Sequence, residues 1–395
     1  MGKRTVVGLD IGSTHIKAVQ ATHKTTGMVI DKVAKVETPQ GAIVDGSVDN
    51  PIALQKTLTA LWKEAKFSTK DVIVGVGGER VLARSGEFKW YSDENFRKLL
   101  ELNAKELFPV DLDDYLFDFH TLSEYSKREI NPEDQEERIT VLKKRVLMVG
   151  TEKRVIDGLI STLRGSKLRP VAVEANGLAL LRSTQPSVSA EDAADLSVDI
   201  GANNITITLH KFGQPMYIRT MSNIGGELIT QEVKNEFKIP YAKAERRKLQ
   251  AFDLSAMAGV ERAGEQETFF DLSDEEGEEE IEVDIAPQLI RTQEIISSHM
   301  GTIMANIRET VETFLYAQTD NDLTTLSPFV ISGGVAASTG LLERISSEFQ
   351  NSAALATPLT THKLRKKAVS DEDLESQHEF VIATGLAMEK DNIHA

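Results

Sequence analysis

The sequence contains no cysteine among its 395 residues. A disulfide framework and a thiolate metal site are therefore excluded. Aromatic residues make up only 6% of the chain. No apolar run is long enough to cross a bilayer, and Lys3 and Arg4 are followed by a polar turn at Asp10 rather than by a signal-peptide core. We therefore expect neither a membrane span nor a secretory signal.

The chain also lacks an excess of positive charge. Its formal net charge is -16, and eleven of the acidic residues fall in 264–284, which has no Lys or Arg. Binding to nucleic acid needs a basic face that neutralises phosphates, so nucleic acid is not an expected partner. The composition of 264–284 predicts a solvated loop of unknown role. A length of 395 residues suits two lobes.

The first chemical motif lies near the N-terminus. An apolar strand beginning at Val6 ends in the turn Asp10-Ile11-Gly12-Ser13-Thr14, and an alternating strand containing Lys17 follows. This pattern predicts a β-hairpin. A turn of small residues can offer backbone N–H groups to phosphates. Asp10 is suited to hold a hydrated Mg²⁺ ion.

Two further turns repeat the design. A second apolar strand from Leu196 ends in the turn Asp199-Ile200-Gly201-Ala202-Asn203-Asn204, and a third strand ends in Ser332-Gly333-Gly334. A single turn of this kind is often only a tight bend. In this order, however, the three turns resemble the two phosphate motifs and the adenosine motif of the superfamily of actin, sugar kinases and heat-shock chaperones.

The superfamily resemblance implies an α/β fold in which two similar lobes enclose ATP and Mg²⁺. Asp10 and Asp199 would then face each other across the cleft and hold the metal through water; the alternative is two unrelated turn aspartates. The implied nucleotide-binding residues come from the three turns, the strand after the first turn and a later glycine pair, and they are Gly12, Ser13, Thr14, Lys17, Gly201, Ala202, Asn203, Asn204, Gly225, Gly226, Glu227, Gly333 and Gly334.

The roles of the charged candidates remain open at this stage. Lys17 is either a phosphate ligand or a solvated lysine on an edge strand. Glu174 is the candidate for positioning an attacking water, or else a carboxylate that favours a helix N-terminus. Lys243 and Arg247, on a predicted basic helix, either flank the base or face solvent. ATP binding is therefore better supported than ATP turnover, and any ATPase activity is expected to be weak.

A segment at about 80–150 looks inserted into the first lobe. We predict strands at Val81–Phe88, Tyr115–Leu122 and Ile139–Val149, a helix capped by Asp93, and a loop from Ser126 to Arg138. With this module in view, the chain resembles the family of the type IV pilus assembly protein PilM, a relative of the division protein FtsA. The stretches that carry the resemblance include 41–49, 74–84, 106–110, 173–180, 224–227 and 383–387.

The narrower resemblance implies an actin-like ATPase fold of duplicated mixed-sheet domains. Lobe I would span 1–185 and contain an FtsA-type subdomain 1C at about 80–150, while lobe II would span 195–395 and contain the acidic loop at 264–284. The implied function is an ATP-binding scaffold of the type IV pilus assembly platform, cytoplasmic at the inner face of the inner membrane. Its implied partners are the cytoplasmic N-terminal peptide of a PilN-type membrane protein, which would recruit it to the membrane, and other platform components.

Two other functions fit the same superfamily. One is an FtsA-like protein that forms filaments, but the polar stretch 388–395 lacks the amphipathic pattern of an FtsA membrane helix. The other is a small-molecule kinase, which would need a substrate-binding insertion with a catalytic aspartate near the cleft. The residues of 81–149 that would bind the peptide, the oligomeric state, and the choice between a pilus and a related secretion machine cannot be read from the sequence.

Overall fold

The computed structural model of the chain describes residues 4–108, 110, 112–130, 137–184, 193–252, 285–317, 325–338 and 340–389. The predicted acidic loop at 264–284 lies outside these ranges, as does most of the stretch 186–194 between the two predicted lobes. Within the described ranges, no helix combines the length and the apolar character needed to cross a membrane.

The first predicted hairpin is confirmed. Strands β1 (Arg4–Ile11) and β2 (His15–Lys24) pair antiparallel, and β3 (Gly27–Glu37) continues the pairing. On the other side of β1 the strands run parallel. The full sheet has the order β10-β6-β1-β2-β3-β17, completed by β6 (Asp71–Val76), β10 (Arg169–Ala175) and β17 (Lys363–Leu364). A separate two-stranded ribbon consists of β4 (Ile43–Val44) and β5 (Ser47–Val48).

The second sheet repeats this topology. Its antiparallel part is β11 (Ala193–Ile200), β12 (Asn204–Lys211) and β13 (Gln214–Ser222), and its parallel part adds β15 (Phe329–Ser332) and β16 (Ala353–Leu355). The order β13-β12-β11-β15-β16 matches β3-β2-β1-β6-β10 strand for strand. A short strand, β14 (Thr325–Leu326), pairs with β11. The chain therefore contains two copies of one sheet design.

Helices cover both sheets. In the first lobe, α1 (Pro51–Ala65) and α3 (Lys153–Gly165) cover one face, and α4 (Asn176–Thr184) covers the other. Asn50 caps α1 by accepting a hydrogen bond from the N–H of Ala53 at 3.1 Å, a contact worth about 1 kcal/mol. In the second lobe the helices are α5 (Gly226–Phe237), α6 (Tyr241–Phe252), α7 (Ile285–Ala317) and α8 (Leu341–Phe349).

The end of the chain packs on the first lobe, although the predicted division assigns all residues from 195 onwards to the second lobe. Strand β17 pairs with β3, and two further helices follow, α9 (Asp371–Glu375) and α10 (Val381–Ala387). Helix α10 packs on β1, and a Cβ atom at Gly8 would lie 2.0 Å from the carbonyl oxygen of Ala383. Where α10 crosses α4, a Cβ at Gly385 would lie 1.9 Å from the carbonyl oxygen of Ala179. Glycine is required at both crossings because the backbones touch.

The inserted module is a three-stranded antiparallel sheet of order β7-β9-β8 with one helix on it. Its elements are β7 (Leu82–Lys89), α2 (Asp93–Leu107), β8 (Tyr115–Ile130) and β9 (Arg138–Glu152). Two predictions are wrong here. Helix α2 is capped by the side chain of Ser92, and β8 runs to Ile130, so residues 126–130 of the predicted loop are paired strand. The long hairpin tolerates polar residues because much of it is solvent-exposed.

Candidate functional site

A large cleft lies between the lobes at the ends of strands β1 and β11. Its volume is about 1070 Å³. The residues predicted from the sequence that line it come from both hairpin turns, from the start of α5 and from the third glycine turn: Asp10, Ser13, Thr14, Lys17, Asp199, Gly201, Ala202, Asn203, Gly226, Glu227, Gly333 and Gly334. The fold thus brings into one cavity side chains that are more than 300 positions apart in sequence.

The two hairpin turns have the same backbone geometry. The N–H of Gly12 donates to the carbonyl oxygen of His15 at 3.0 Å, and the N–H of Gly201 donates to that of Asn204 at 2.9 Å. These bonds close the turns, so the two glycine N–H groups are not available to a phosphate. The residues after each glycine, Ser13, Thr14, Ala202 and Asn203, line the cleft, and backbone N–H groups in turns of this kind are suited to bind phosphate.

Charged residues of the first lobe surround the first turn. Lys17 lies directly opposite Asp10 in the strand register, and its ammonium group is 3.5 Å from Asp10 Oδ2. Burial would lower the pKa of Lys17, but the charges of Asp10, Glu379 and Asp199 outweigh it and hold that pKa above its ordinary value. Lys17 is therefore a fixed positive charge in the cleft.

Asp199 occupies the matching place in the second lobe. Its Oδ1 accepts a hydrogen bond from the hydroxyl of Ser332 at 2.8 Å. Burial raises the pKa of Asp199 from its ordinary value of 3.8 to about 6, although the Ser332 hydrogen bond and the charge of Lys17 act in the opposite direction. Because burial disfavours the ionised form of this carboxylate, a cation bound beside it would stabilise that form.

The donor set fits a magnesium ion bound with a nucleotide. Magnesium prefers octahedral oxygen coordination and usually takes one or two carboxylates, with waters and phosphate oxygens completing the shell. Asp10 and Asp199 both line the cleft, and among the described residues there is no group of three or more His, Cys, Asp or Glu side chains suited to a metal cage. Two carboxylates suit a metal that arrives with phosphates. Such a metal would offset phosphate charge.

The opposite wall is built from glycine turns of the second lobe. Gly225 has φ +152°, and a Cβ atom there would lie 2.5 Å from the carbonyl oxygen of Gly201. This close approach lets the N–H groups of Gly226 and Glu227 donate to the carbonyl oxygens of Gly201 and Ala202. Gly333 has φ +92° and its N–H donates to the carbonyl oxygen of His378 at 3.1 Å. Helix α5 therefore braces the second phosphate turn.

Helix α6 adds residues that the sequence analysis missed. Ala242, Arg246 and Leu249 line the cleft, whereas Lys243 and Arg247, the predicted base-flanking residues, are not among its lining residues. Arg247 lies instead over the ring of Phe237, 4.4 Å from its centroid. Helical periodicity identifies one face of α6, but only the packing of α6 on α5 decides which face meets the cleft.

Polar contacts fix the part of the cleft between α5 and α6. The hydroxyl of Tyr241 donates to Glu227 Oε2 at 2.6 Å, and burial together with that carboxylate raises the pKa of Tyr241. The ammonium group of Lys248 donates to Glu245 at 2.7 Å and to the carbonyl oxygen of Gly226 at 3.2 Å. Glu227 therefore faces the cleft as an oriented carboxylate, suited to accept hydrogen bonds from hydroxyl groups.

Besides Lys243 and Arg247, four other predicted residues do not line the cleft. Gly12 and Asn204 take part in the hydrogen bonds that close the two hairpin turns, and Gly225 packs closely against the carbonyl oxygen of Gly201. Glu174 lies in a buried ion pair: its carboxylate accepts two hydrogen bonds from Arg182, one of them 3.0 Å long. The guanidinium of Arg182 also contacts Glu389 at 2.6 Å. Glu174 is therefore paired with Arg182 and is not among the residues that line the cleft.

The two lobes and the aspartate-tipped turns on each side of one cleft define an actin-like ATPase fold. The chain matches the family model of the type IV pilus assembly protein PilM over residues 8–255, more than half of its length, and it belongs to that family. The family model of the cell division protein FtsA matches residues 196–383. The predicted family and fold class are both confirmed.

Solved structures share this fold. A chain of a PilM-PilN type IV pilus biogenesis complex matches with a TM-score of 0.76 and 19% identity, covering 99% of each chain. The ethanolamine utilization protein EutJ from Carboxydothermus hydrogenoformans matches with a TM-score of 0.51 and 14% identity, covering 98% of this chain and 90% of EutJ. At these identities the likeness shows a shared fold.

Proposed function

We propose that this chain is an ATP-binding scaffold of the type IV pilus assembly platform. In this proposal ATP and Mg²⁺ occupy the cleft, with Asp10 and Asp199 on the metal, the Ser13–Thr14 and Ala202–Asn203 turns on the phosphates, and Gly333 and Gly334 beside the base. The observation that carries it is the convergence of both aspartate-tipped turns on one cavity of about 1070 Å³.

The proposal is one of binding rather than of turnover. Glu174, the residue predicted to orient a water, is held by Arg182 outside the cleft lining. A nucleotide that binds across two lobes stabilises their closed arrangement, because it contacts both. Such a ligand can regulate a scaffold without being hydrolysed quickly.

A titration of ATP into the protein with magnesium tests the nucleotide site. We expect Asp10→Ala to weaken the affinity for Mg²⁺-ATP by at least tenfold while the far-ultraviolet circular dichroism stays unchanged. Asp157→Ala, an exposed aspartate on α3, is the matched control and should bind as the wild type does. Equal affinities in the two variants would contradict the proposed site.

The partner part of the proposal is the N-terminal cytoplasmic peptide of a PilN-type membrane protein. It is supported by the family assignment and by the match to a chain of a PilM-PilN complex over 99% of both chains. Recruitment by that peptide would place the protein at the cytoplasmic face of the inner membrane, together with other platform components. An extended peptide gains main-chain hydrogen bonds and side-chain pockets in such a complex.

Vesicles that display the peptide test this recruitment. The protein should co-sediment with vesicles that carry the N-terminal peptide of the PilN-type protein encoded beside it, and remain in solution with bare vesicles or with a scrambled peptide. Repeating the assay with and without ATP and magnesium shows whether the nucleotide changes partner affinity. Binding to bare vesicles alone would refute indirect membrane association.

A second candidate function is an FtsA-like filament. The match of the FtsA family model to residues 196–383 favours it. Filaments would appear as ATP-dependent pelleting in high-speed sedimentation without vesicles. A protein that stays in the supernatant at every ATP concentration, while still binding the peptide vesicles, would favour the scaffold.

A further inference from the structure

A row of three charged residues crosses the first sheet at the cleft. Asp10 on β1 lies opposite Lys17 on β2, and Lys17 lies opposite Lys35 on β3. Directly opposed residues in antiparallel strands point to the same face, and their Cβ atoms are about 4.5–5.5 Å apart. All three line the cleft. The row therefore places a second lysine beside the one already assigned to the phosphates.

Two like charges opposite each other destabilise a sheet unless something compensates them. Here Asp10 compensates Lys17 on one side, and Glu379 compensates Lys35 on the other. The ammonium group of Lys35 lies 2.8 Å from one carboxylate oxygen of Glu379 and 2.9 Å from the other. Burial would raise the pKa of Glu379, but the Lys35 hydrogen bond and the charges of Lys35 and Lys17 outweigh it and keep that pKa below its usual range.

Glu379 is also connected to the adenosine side of the cleft. It belongs to a 3₁₀ turn, Gln377–Phe380, directly before α10. The carbonyl oxygen of the preceding residue, His378, accepts the N–H of Gly333 at 3.1 Å. Glu379 therefore holds Lys35 from a backbone segment that the third glycine turn fixes in place.

The chemistry of lysine bears on how the proposed site would treat ATP and ADP. A lysine is a compact charge on a flexible stem that reorients towards a nearby anion. In the proposed nucleotide site Lys17 serves one phosphate position beside Asp10, so a second lysine further along the row would gain a partner only when the phosphate chain is longer. The Lys35–Glu379 pair lies near the surface of the cleft, with 30% of the Lys35 side chain exposed, so the exchange of partners costs little.

We propose that Lys35 is the residue that distinguishes a nucleoside triphosphate from a diphosphate, and that Glu379 holds it in reserve until the terminal phosphate arrives. This inference rests on the proposed nucleotide site. It assigns Lys35 a ligand of its own, the terminal phosphate, and gives Glu379 the role of a competitor for that lysine.

Two substitutions that break the same ion pair have opposite consequences under this proposal. Lys35→Met removes the phosphate ligand and should weaken binding of a non-hydrolysable ATP analogue about tenfold or more, which is the loss expected for one hydrogen bond to a charged group. The affinity for ADP should change less than about threefold. Glu379→Gln frees Lys35 and should tighten binding of the analogue relative to ADP. Calorimetric titration with Mg²⁺ present measures both affinities.

Lys24→Met is the matched control, because it removes one positive charge from the exposed far end of the same strand pair. It should leave the ADP-to-analogue affinity ratio unchanged. If Lys35 and Glu379 only tie β3 to the 377–380 turn, both variants will change the two affinities in the same direction and by equal factors, which would overturn the inference. Loss of all nucleotide binding in the wild-type protein would instead overturn the proposed function.

Discussion

Replacing Asp199 by Asn removes a carboxylate that the native protein keeps charged at a cost. Burial raises the pKa of Asp199 from 3.8 to about 6. The cost of the charge to folding stability is absent below pH 3.8, the pKa of Asp199 in the unfolded chain, and complete above its pKa of about 6 in the folded protein. This cost therefore grows as the pH rises between these two values. With 1.36 kcal/mol for each pKa unit, the full penalty is about 3 kcal/mol above pH 6.

The assay compares the free energy of unfolding of wild type and Asp199→Asn by urea denaturation without nucleotide. Asparagine keeps an oxygen that can accept the Ser332 hydrogen bond and carries no charge. The variant should be the more stable protein at pH 7.5. Its advantage should increase by about 1.4 kcal/mol between pH 5 and pH 7.5, because most of the proton release from native Asp199 occurs in that interval.

Two further measurements test whether the charge of Asp199 causes the pH dependence. Ser332→Ala removes the hydrogen bond that lowers the pKa of Asp199, so the pH-dependent loss of stability should continue to a higher pH than in wild type. Mg²⁺-ATP should offset the penalty in wild type, because the metal favours the ionised carboxylate, and should do so much less in Asp199→Asn. Parallel pH profiles for wild type and Asp199→Asn would refute the reasoning.

Two other predictions concern the packing behind the cleft. Gly385→Ala should lower the free energy of unfolding by about 3 kcal/mol or more, because its Cβ would lie 1.9 Å from a backbone oxygen. Gly158→Ala on α3 has open space around its Cβ and should raise the free energy of unfolding by about 0.5–1 kcal/mol. Urea denaturation measures both changes. Arg182→Met should lower the free energy of unfolding by about 3–5 kcal/mol, because it leaves Glu174 buried without its partner. Arg169→Met breaks an exposed ion pair and should lower it by less than about 1 kcal/mol. Similar losses in the two arginine variants would contradict the expected effect of burial.

The sequence predicts the local elements of the cleft because they depend on short-range patterns. The two hairpins follow from alternating apolar residues on each side of a small-residue turn, and the structure forms both as expected. The extra length of the β8–β9 hairpin was missed because its outer half exposes both faces, so Lys127 and Arg128 in β8 give no alternation to detect.

The remaining site residues depend on tertiary contacts that one sequence does not display. Glu379 and Lys35 meet across 344 positions, and Lys248 reaches the cleft only because α6 packs on α5. The acidic residue before the lobe link, Glu174, resembled a water-positioning residue by its place in the chain. Its proximity to Arg182, eight positions later, gives it a structural role instead.

The crossing of α4 and α10 limits how these two helices can move relative to each other. Backbone meets backbone there, at Gly385 against Ala179, and α10 also lies against β1 at Gly8. At Gly8 and Gly385 no side chain separates the backbones, so sliding one helix along the other would bring backbone atoms into collision. In any motion that changes the width of the cleft, α4 and α10 therefore have to move together with the first sheet as one unit.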